Sequence, residues 1–303
     1  MVDANGLAET IKIWNWHTGE CISTLNHSAG VISVHFDGRL LASGSIDKMV
    51  KIFDFQSKEH YCLKGHKDWV NCTRLDTSSK TVLSASDDTT VKLWDLETRQ
   101  LIRTFEGHVG HVQQVLPLPL EYEPDEDPER IANGTADNTD TQSVSSGRSV
   151  TPTFSYPQLD GSSSPIPDEN LRLMYGSGFA SDPSRPLPPR YFLTGGLDST
   201  IRLWDSATGQ SLKTFFGHLE GVWSLAGDTI RVISGANDGM VKSWEPRSGK
   251  CDATFTGHAG PVTCVGLSDS RMASGGEDGE IRIYSFKNVP AGKAPSDGGS
   301  PPR

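Results

Sequence analysis

Five times along this chain a histidine, a hydroxyl and an aspartate come round at matched spacing, and those are the parts of a nucleophilic hydrolase. The sets are His27, Ser43 and Asp47; His66, Ser84 and Asp88; His108, Thr194 and Asp198; His218, Ser234 and Asp238; and His258, Ser274 and Asp278. Six residues beyond each aspartate stands an aromatic: Phe53, Trp94, Trp204, Trp244 or Tyr284. Hydrolysis needs one triad, whereas a set repeated in phase and closed by an aromatic serves a structural purpose. The chemistry that fits is a hydrogen-bond relay. Aspartate in a tight turn accepts from backbone amides and from the histidine, the histidine reaches the hydroxyl, and the hydroxyl meets the indole N–H. Each link contributes about 1 kcal/mol net, and stranding a buried partner costs roughly 1–3 kcal/mol. Phe53 offers no donor, so the first relay is expected to be weaker.

Other chemistry is absent from the pattern. The chain has no Gly-rich phosphate loop, no His-Glu-x-x-His and no Cys-His cluster, so no catalytic residue, cofactor or metal site is expected. Cys21, Cys62, Cys72, Cys251 and Cys264 are odd in number and contain no Cys-x-x-Cys pair, which suits reduced thiols in the cytoplasm or nucleus. Nothing at the N-terminus resembles a secretion signal, and no apolar run approaches the ~18 residues needed to cross a bilayer. Net charge is −10. Residues 119–189 hold 12 Asp or Glu against 4 Arg and no Lys, which leaves only about −2 for everything else. A near-neutral body with an acidic insertion argues against nucleic acid as a partner.

The unit that must position each set is clearest from Thr81 to Val109. It runs through a β-branched stretch, a polar turn at Asp87-Asp88-Thr89, the strand Val91-Lys92-Leu93-Trp94, a charged turn, and a strand from Leu101 to Phe105 that ends on Gly107-His108. One hairpin cannot bury its own apolar face, so repetition decides the architecture. The Trp94 position recurs as Trp14, Phe53, Trp204, Trp244 and Tyr284, in steps of 39, 41, 110, 40 and 40 residues. A period near 40 with Gly-His ahead and Trp-Asp behind is the signature of WD-repeat β-propeller blades, each of four strands.

The expected fold is therefore all-β. After an extension over residues 1–10, repeats fill 11–118 and 190–286, making five fuller blades and an N-terminal half-blade. The half-blade has Ala8 where other copies place the turn aspartate. The third blade is interrupted by 119–189, whose acidic and Ser/Pro-rich composition predicts a disordered loop. Closing a loop ten times the usual length costs only about 2 kcal/mol in the logarithmic length term. Ser164-Pro165, Thr151-Pro152 and Ser300-Pro301 could accept proline-directed phosphorylation, and 287–303 is expected to be a disordered tail. Whether the ring closes is open at this level: Cys21 to Leu25 could supply the strand that the fifth copy lacks, and otherwise the ring stays incomplete.

Several stretches resemble one family closely: WNWHTGEC (14–21), KDWVNC (67–72), SASDDTTVKLWDL (84–96), TFEGHVGHVQQVLPLP (104–119), STIRLWD (199–205), KTFFGHLEGVWSL (213–225) and TFTGHAGPVTCVGLSDSR (254–271). They are similar to the WD-repeat half of the fungal sulfur-controller F-box/WD-repeat family, substrate receptors of an SCF ubiquitin ligase. The resemblance covers roughly 11–118 and 188–286, and the acidic insertion is placed as in that family. It implies a non-enzymatic propeller that captures a sulfur-regulatory transcription factor for ubiquitylation. No F-box-like stretch is recognisable before Ile11, so binding of the Skp1 adaptor is not implied. The alternative is a generic WD-repeat scaffold with unrelated protein partners.

Projecting the repeat pattern onto this chain gives a candidate docking face. Its positions are the third and fifth after each blade histidine and the one before each turn aspartate: Trp69, Asn71, Asp87, His111, Gln113, Leu197, Trp223, Asn237, Thr263 and Glu277. Trp69 and Trp223 fall outside the relay, and exposed aromatics anchor interfaces. Receptors for phosphorylated segments place Arg at such positions, because its fork grips phosphate. None of the ten is Arg, which disfavours a phosphopeptide pocket.

Overall fold

The computed structural model describes residues 2–4, 9–124 and 168–286. An N-terminal sheet holds β1 (Val2–Ala4), β2 (Thr10–Trp14) and β3 (Cys21–Asn26). Blade 1 is β4 (Val31–Asp37), β5 (Leu40–Ser45), β6 (Met49–Asp54) and β7 (His60–Lys64). Blade 2 is β8 (Val70–Asp76), β9 (Thr81–Ser86), β10 (Val91–Asp95) and β11 (Gln100–Phe105). Blade 3 begins with β12 (Val112–Pro117) and resumes after the insertion with β13 (Tyr191–Gly196), β14 (Ile201–Asp205) and β15 (Ser211–Phe215). Blade 4 is β16 (Val222–Gly227), β17 (Val232–Ala236), β18 (Val241–Trp244) and β19 (Cys251–Phe255). Blade 5 has β20 (Val262–Leu267), β21 (Arg271–Gly276) and β22 (Ile281–Ser285).

Every sheet is an antiparallel meander in chain order. The first strands of blades 1 to 5 lie against one another in sequence, so the sheets fan out from a common axis. Stacked sheets bury both faces of their middle strands, and this explains why β9 and β10 are buried along their whole length. Each space between neighbouring sheets holds an apolar cluster. Between blades 2 and 3, Leu83, Leu93 and Phe105 meet Val112, Phe192 and Trp204. Full burial of such a side chain contributes roughly 1.5–3 kcal/mol, and the interfaces, rather than isolated blades, hold the fold.

Three features differ from the sequence reading. Val2–Ala4 pairs antiparallel with β2, in register Val2↔Ile13, so the N-terminal half-blade gains a strand from residues read as a polar extension. Cys21–Asn26 pairs only with β2, and blade 5 remains three-stranded; among the described residues the ring is an open arc of six sheets.

The third difference is the insertion, which was expected to be disordered over 119–189. Its flanks are ordered. On the N-terminal side Tyr122 is buried and donates its hydroxyl to the Pro246 carbonyl at 2.8 Å. On the C-terminal side α1 (Asp168–Met174) and α2 (Ser177–Ala180) lead into Arg185. Arg185 is buried, lies 3.8 Å over the Phe179 ring, and donates to Asp95 at 2.7 Å and to the Ser79 carbonyl at 2.9 Å. Apolar composition was too sparse for an independent core, but these arms borrow the sides of blades 2, 3 and 4. Residues 125–167, with Ser164 and Thr151, and the tail with Ser300 lie outside the described residues.

Candidate docking face

Each of the five residue sets converges within its own blade. His66 donates from Nδ1 to Asp88 at 2.8 Å and accepts at Nε2 from the Ser84 hydroxyl at 2.7 Å, while Trp94 Nε1 donates to Ser84 at 2.8 Å. Blade 3 repeats this with His108–Asp198 at 2.8 Å, His108–Thr194 at 2.7 Å and Trp204–Thr194 at 2.8 Å, although the insertion separates the partners in sequence. In blade 4 the distances are 2.9, 2.6 and 2.8 Å for His218–Asp238, His218–Ser234 and Trp244–Ser234. Blades 1 and 5 keep the histidine links, His27 to Asp47 and Ser43 and His258 to Asp278 and Ser274. There Phe53 has no donor, and the Tyr284 ring lies against Phe255.

The electrostatics follow from burial and donors. Burial alone would raise the Asp88 carboxyl. Hydrogen bonds from His66, the Thr90 hydroxyl and the Lys67 amide outweigh it and hold the group well below the carboxylate range. Asp198 is lowered by the matching donors, and Asp278 is brought down to about 2 chiefly by the amides of Glu280 and Ala259. Burial pushes His218 and His27 below their ordinary value despite the neighbouring carboxylates. Neutral imidazole beside an ionised, amide-held carboxylate is an orienting arrangement. Each hydroxyl accepts from an indole or lies enclosed between strands, with no open side for a substrate.

Relay geometry also sets what the loops present. The turn aspartate accepts the amide of the residue after the histidine, as in Val109 N–H to Asp198 at 3.0 Å and Leu219 N–H to Asp238 at 3.0 Å. Those side chains are thereby turned outward: Val109 is 86% exposed and Leu219 77%. Neither was among the ten candidates. The usable signal was apolar Val and Leu at a loop position that carries Ser28, Lys67 and Ala259 in other blades.

In every blade the first strand also carries a bulge, at Val31/Ser33, Val70/Cys72, Val112/Gln114, Val222/Ser224 and Val262/Cys264. The extra residue is Ile32, Asn71, Gln113, Trp223 or Thr263, so four of the ten candidates are bulged residues whose side chains are re-aimed. Asn71 and Gln113, from different blades, both point to Asp87. Its Oδ1 accepts Asn71 Nδ2 at 2.6 Å and Gln113 Nε2 at 3.3 Å, and His111 Nδ1 lies 3.3 Å from the same oxygen. Asn71 Nδ2 also donates to the Val112 carbonyl at 3.0 Å, tying blade 2 to blade 3. Trp69 joins through its carbonyl, which accepts the Asp87 amide at 2.9 Å, and the residue is 44% exposed.

Five candidates therefore form one group; Leu197 is tied to it through its amide, which donates to the His111 carbonyl at 2.8 Å, and the other four stand apart. Leu197 covers Gly221, where an added β-carbon would meet its Cδ2 at 2.7 Å. Asn237 donates to Glu220 at 2.6 Å. Trp223 is half-buried, and its enclosed indole N–H has no hydrogen-bond partner among the described residues. Thr263 donates to the Gly275 carbonyl at 3.4 Å, and Glu277 is exposed. Among the described residues no cluster of His, Cys, Asp and Glu could hold a metal ion.

The WD domain, G-beta repeat family matches residues 19–54, 57–95, 179–205, 209–245 and 249–285, together more than half of the chain. Four of the matches take the last strand of one sheet and the first three of the next, which is the stagger that links neighbours, and the match over 179–205 takes β13 and β14 of blade 3 alone. The chain is similar to the probable E3 ubiquitin ligase complex SCF subunit scon-2 of Neurospora crassa, 69% identical over 198 residues that cover 60% of this chain and 30% of the relative. It is similar also to the SCF subunit sconB of Aspergillus terreus, 54% identical over 178 residues covering 59% of this chain and 25% of the relative. The sconB of Arthroderma otae is 52% identical over 307 residues, covering 73% of this chain and 44% of the relative. The chain thus spans less than half the length of these curated relatives.

Proposed function

Because the chain belongs to the WD domain, G-beta repeat family, we propose that it is a non-enzymatic docking module, the substrate-recognising part of an SCF-type ubiquitin ligase subunit. The observation that carries this reading is the likeness to the fungal SCF subunits. The blade geometry supports it. All five Ser/Thr-His-Asp sets are enclosed within their blades, which leaves loops and bulged residues as the groups that can meet a partner. By the same resemblance the docked protein is a sulfur-regulatory transcription factor. No residue here is assigned to the Skp1 adaptor. A cytoplasmic or nuclear setting suits five thiols that form no disulfide.

A domain exchange tests the proposal. In the Neurospora crassa relative, the matching repeats are replaced by the repeats of this chain. Sulfur-dependent repression is expected to survive the exchange. A chimera that folds and accumulates but no longer represses would sink the reading and favour a scaffold with unrelated partners.

A further inference from the structure

We infer that Asp87 and Trp69 take a lysine side chain from the segment that docks on this face, so that the partner presents a basic, apolar stretch. The inference rests on the docking role proposed above and specifies its chemistry. Two donors, from Asn71 and Gln113, converge on Oδ1 of Asp87, and His111 Nδ1 lies 3.3 Å from the same oxygen. Oδ2 accepts no hydrogen bond among the described residues, and it is not sealed from solvent. A carboxylate held through one oxygen, with the other unbonded and its side chain 14% exposed, is pre-organised to accept one strong donor.

The occupied Oδ1 decides between the two basic side chains. An arginine fork needs both oxygens for its paired geometry, whereas an ammonium needs one. Trp69 follows Asp68 in the adjoining loop and offers a half-exposed indole, suited to the lysine stem and to cation–π attraction. Beyond it, Val109 and Leu219 offer apolar contact, while Glu220 and Glu277 add carboxylates on blades 4 and 5. The lysines in these loops, Lys48 and Lys67, belong to blades 1 and 2, and Lys48 is already donating to the Lys67 carbonyl at 2.9 Å beside Asp68. The charge around the bulged residues is therefore complementary to a cationic segment and repels phosphate.

Fluorescence anisotropy on the full chain reads this directly. Three labelled peptides of equal length are used, alternating leucine with lysine, with glutamate or with phosphoserine. The lysine peptide is expected to bind alone and to weaken as salt is raised. Asp87→Asn should lower its affinity about tenfold and Trp69→Ala several-fold, while Glu245→Gln in a distant turn changes nothing. Trp69→Ala carries the test if Asp87→Asn melts early. Preferred binding of the phosphoserine or glutamate peptide, lysine binding indifferent to both variants, or no binding by any peptide overturns the inference. A chimera that still represses while the lysine peptide fails removes this inference alone and leaves the docking role standing.

Discussion

At the scale of single residues the relay makes unequal demands that mutation can separate. Ser84→Ala strands both the Trp94 indole N–H and the His66 Nε2, each buried. Ser43→Ala strands only His27 Nε2, because Phe53 has nothing to donate. With roughly 1–3 kcal/mol for each buried group left unpaired, Ser84→Ala is expected to cost about 3 kcal/mol and Ser43→Ala about half of that. Urea titrations of the two variants check the order, and equal losses would remove the indole link from the account. Acid sensitivity has two stages. His218 and His27 are lowered by burial, so the unfolded chain, with His near 6.5, binds protons first. Stability is full above that value and falls as pH drops through the folded values. The turn aspartates are depressed by their donors, so their contribution is present above about pH 4 and is lost as pH falls toward the folded values, about 2 for Asp278. Unfolding free energies measured from pH 8 to pH 3 should therefore decline below 6.5 and fall again below 4. A flat profile between 7 and 5 would show that the buried histidines are not held neutral.

At the scale of the element, the turn after each aspartate requires a left-handed residue. Gly239 and Gly279 supply it in blades 4 and 5, with φ of 73° and 76°, but blades 1 to 3 use Lys48, Thr89 and Ser199 at 67°, 68° and 65°. A β-branched residue is most strained there. Thr89→Gly is expected to raise stability by about 1 kcal/mol and Gly239→Thr to lower it by at least as much, as thermal melts would read. The arm of the insertion makes a sharper case. Arg185→Ala removes the only guanidinium on the buried Asp95 carboxylate among the described residues, at an expected cost of roughly 3 kcal/mol. Hydrogen exchange should then quicken across 168–189 before it does in blades 2 and 3. These two elements differ in how far sequence could show them. Turn aspartate, Gly-His and Trp-Asp recur at fixed spacing because each blade must close the same hydrogen bonds, so the sheets were legible residue by residue. The bulges at Asn71 and Gln113 were not, since a bulge leaves no period of its own. Nor were the arms, because Tyr122, Phe179 and Arg185 are ordered only by surfaces far away in sequence.

At the scale of the molecule, the number of sheets could be counted from the aromatic period, but closure could not, because it depends on which strand edges meet. The answer lies in positions equivalent across blades. The positions three and one before the blade aromatic are Val50 and Ile52, Val91 and Leu93, and Ile201 and Leu203, and all are buried by the following sheet. In blade 5 they are Ile281 and Ile283, 78% and 67% exposed, and no sheet among the described residues covers them. Among the described residues β22 is also an edge, paired with β21 alone. An apolar face beside an unpaired strand is an aggregation surface unless another chain or segment covers it. The isolated chain should therefore self-associate as its concentration rises. Ile281→Thr with Ile283→Lys is expected to restore a monomer without lowering the melting temperature, since both side chains are mostly exposed within the arc. Light scattering at rising concentration, read beside a thermal melt, decides it. If both proteins scatter alike, the end of the arc is not the sticky surface. If the double variant melts early, those two isoleucines are covered by something within the chain itself.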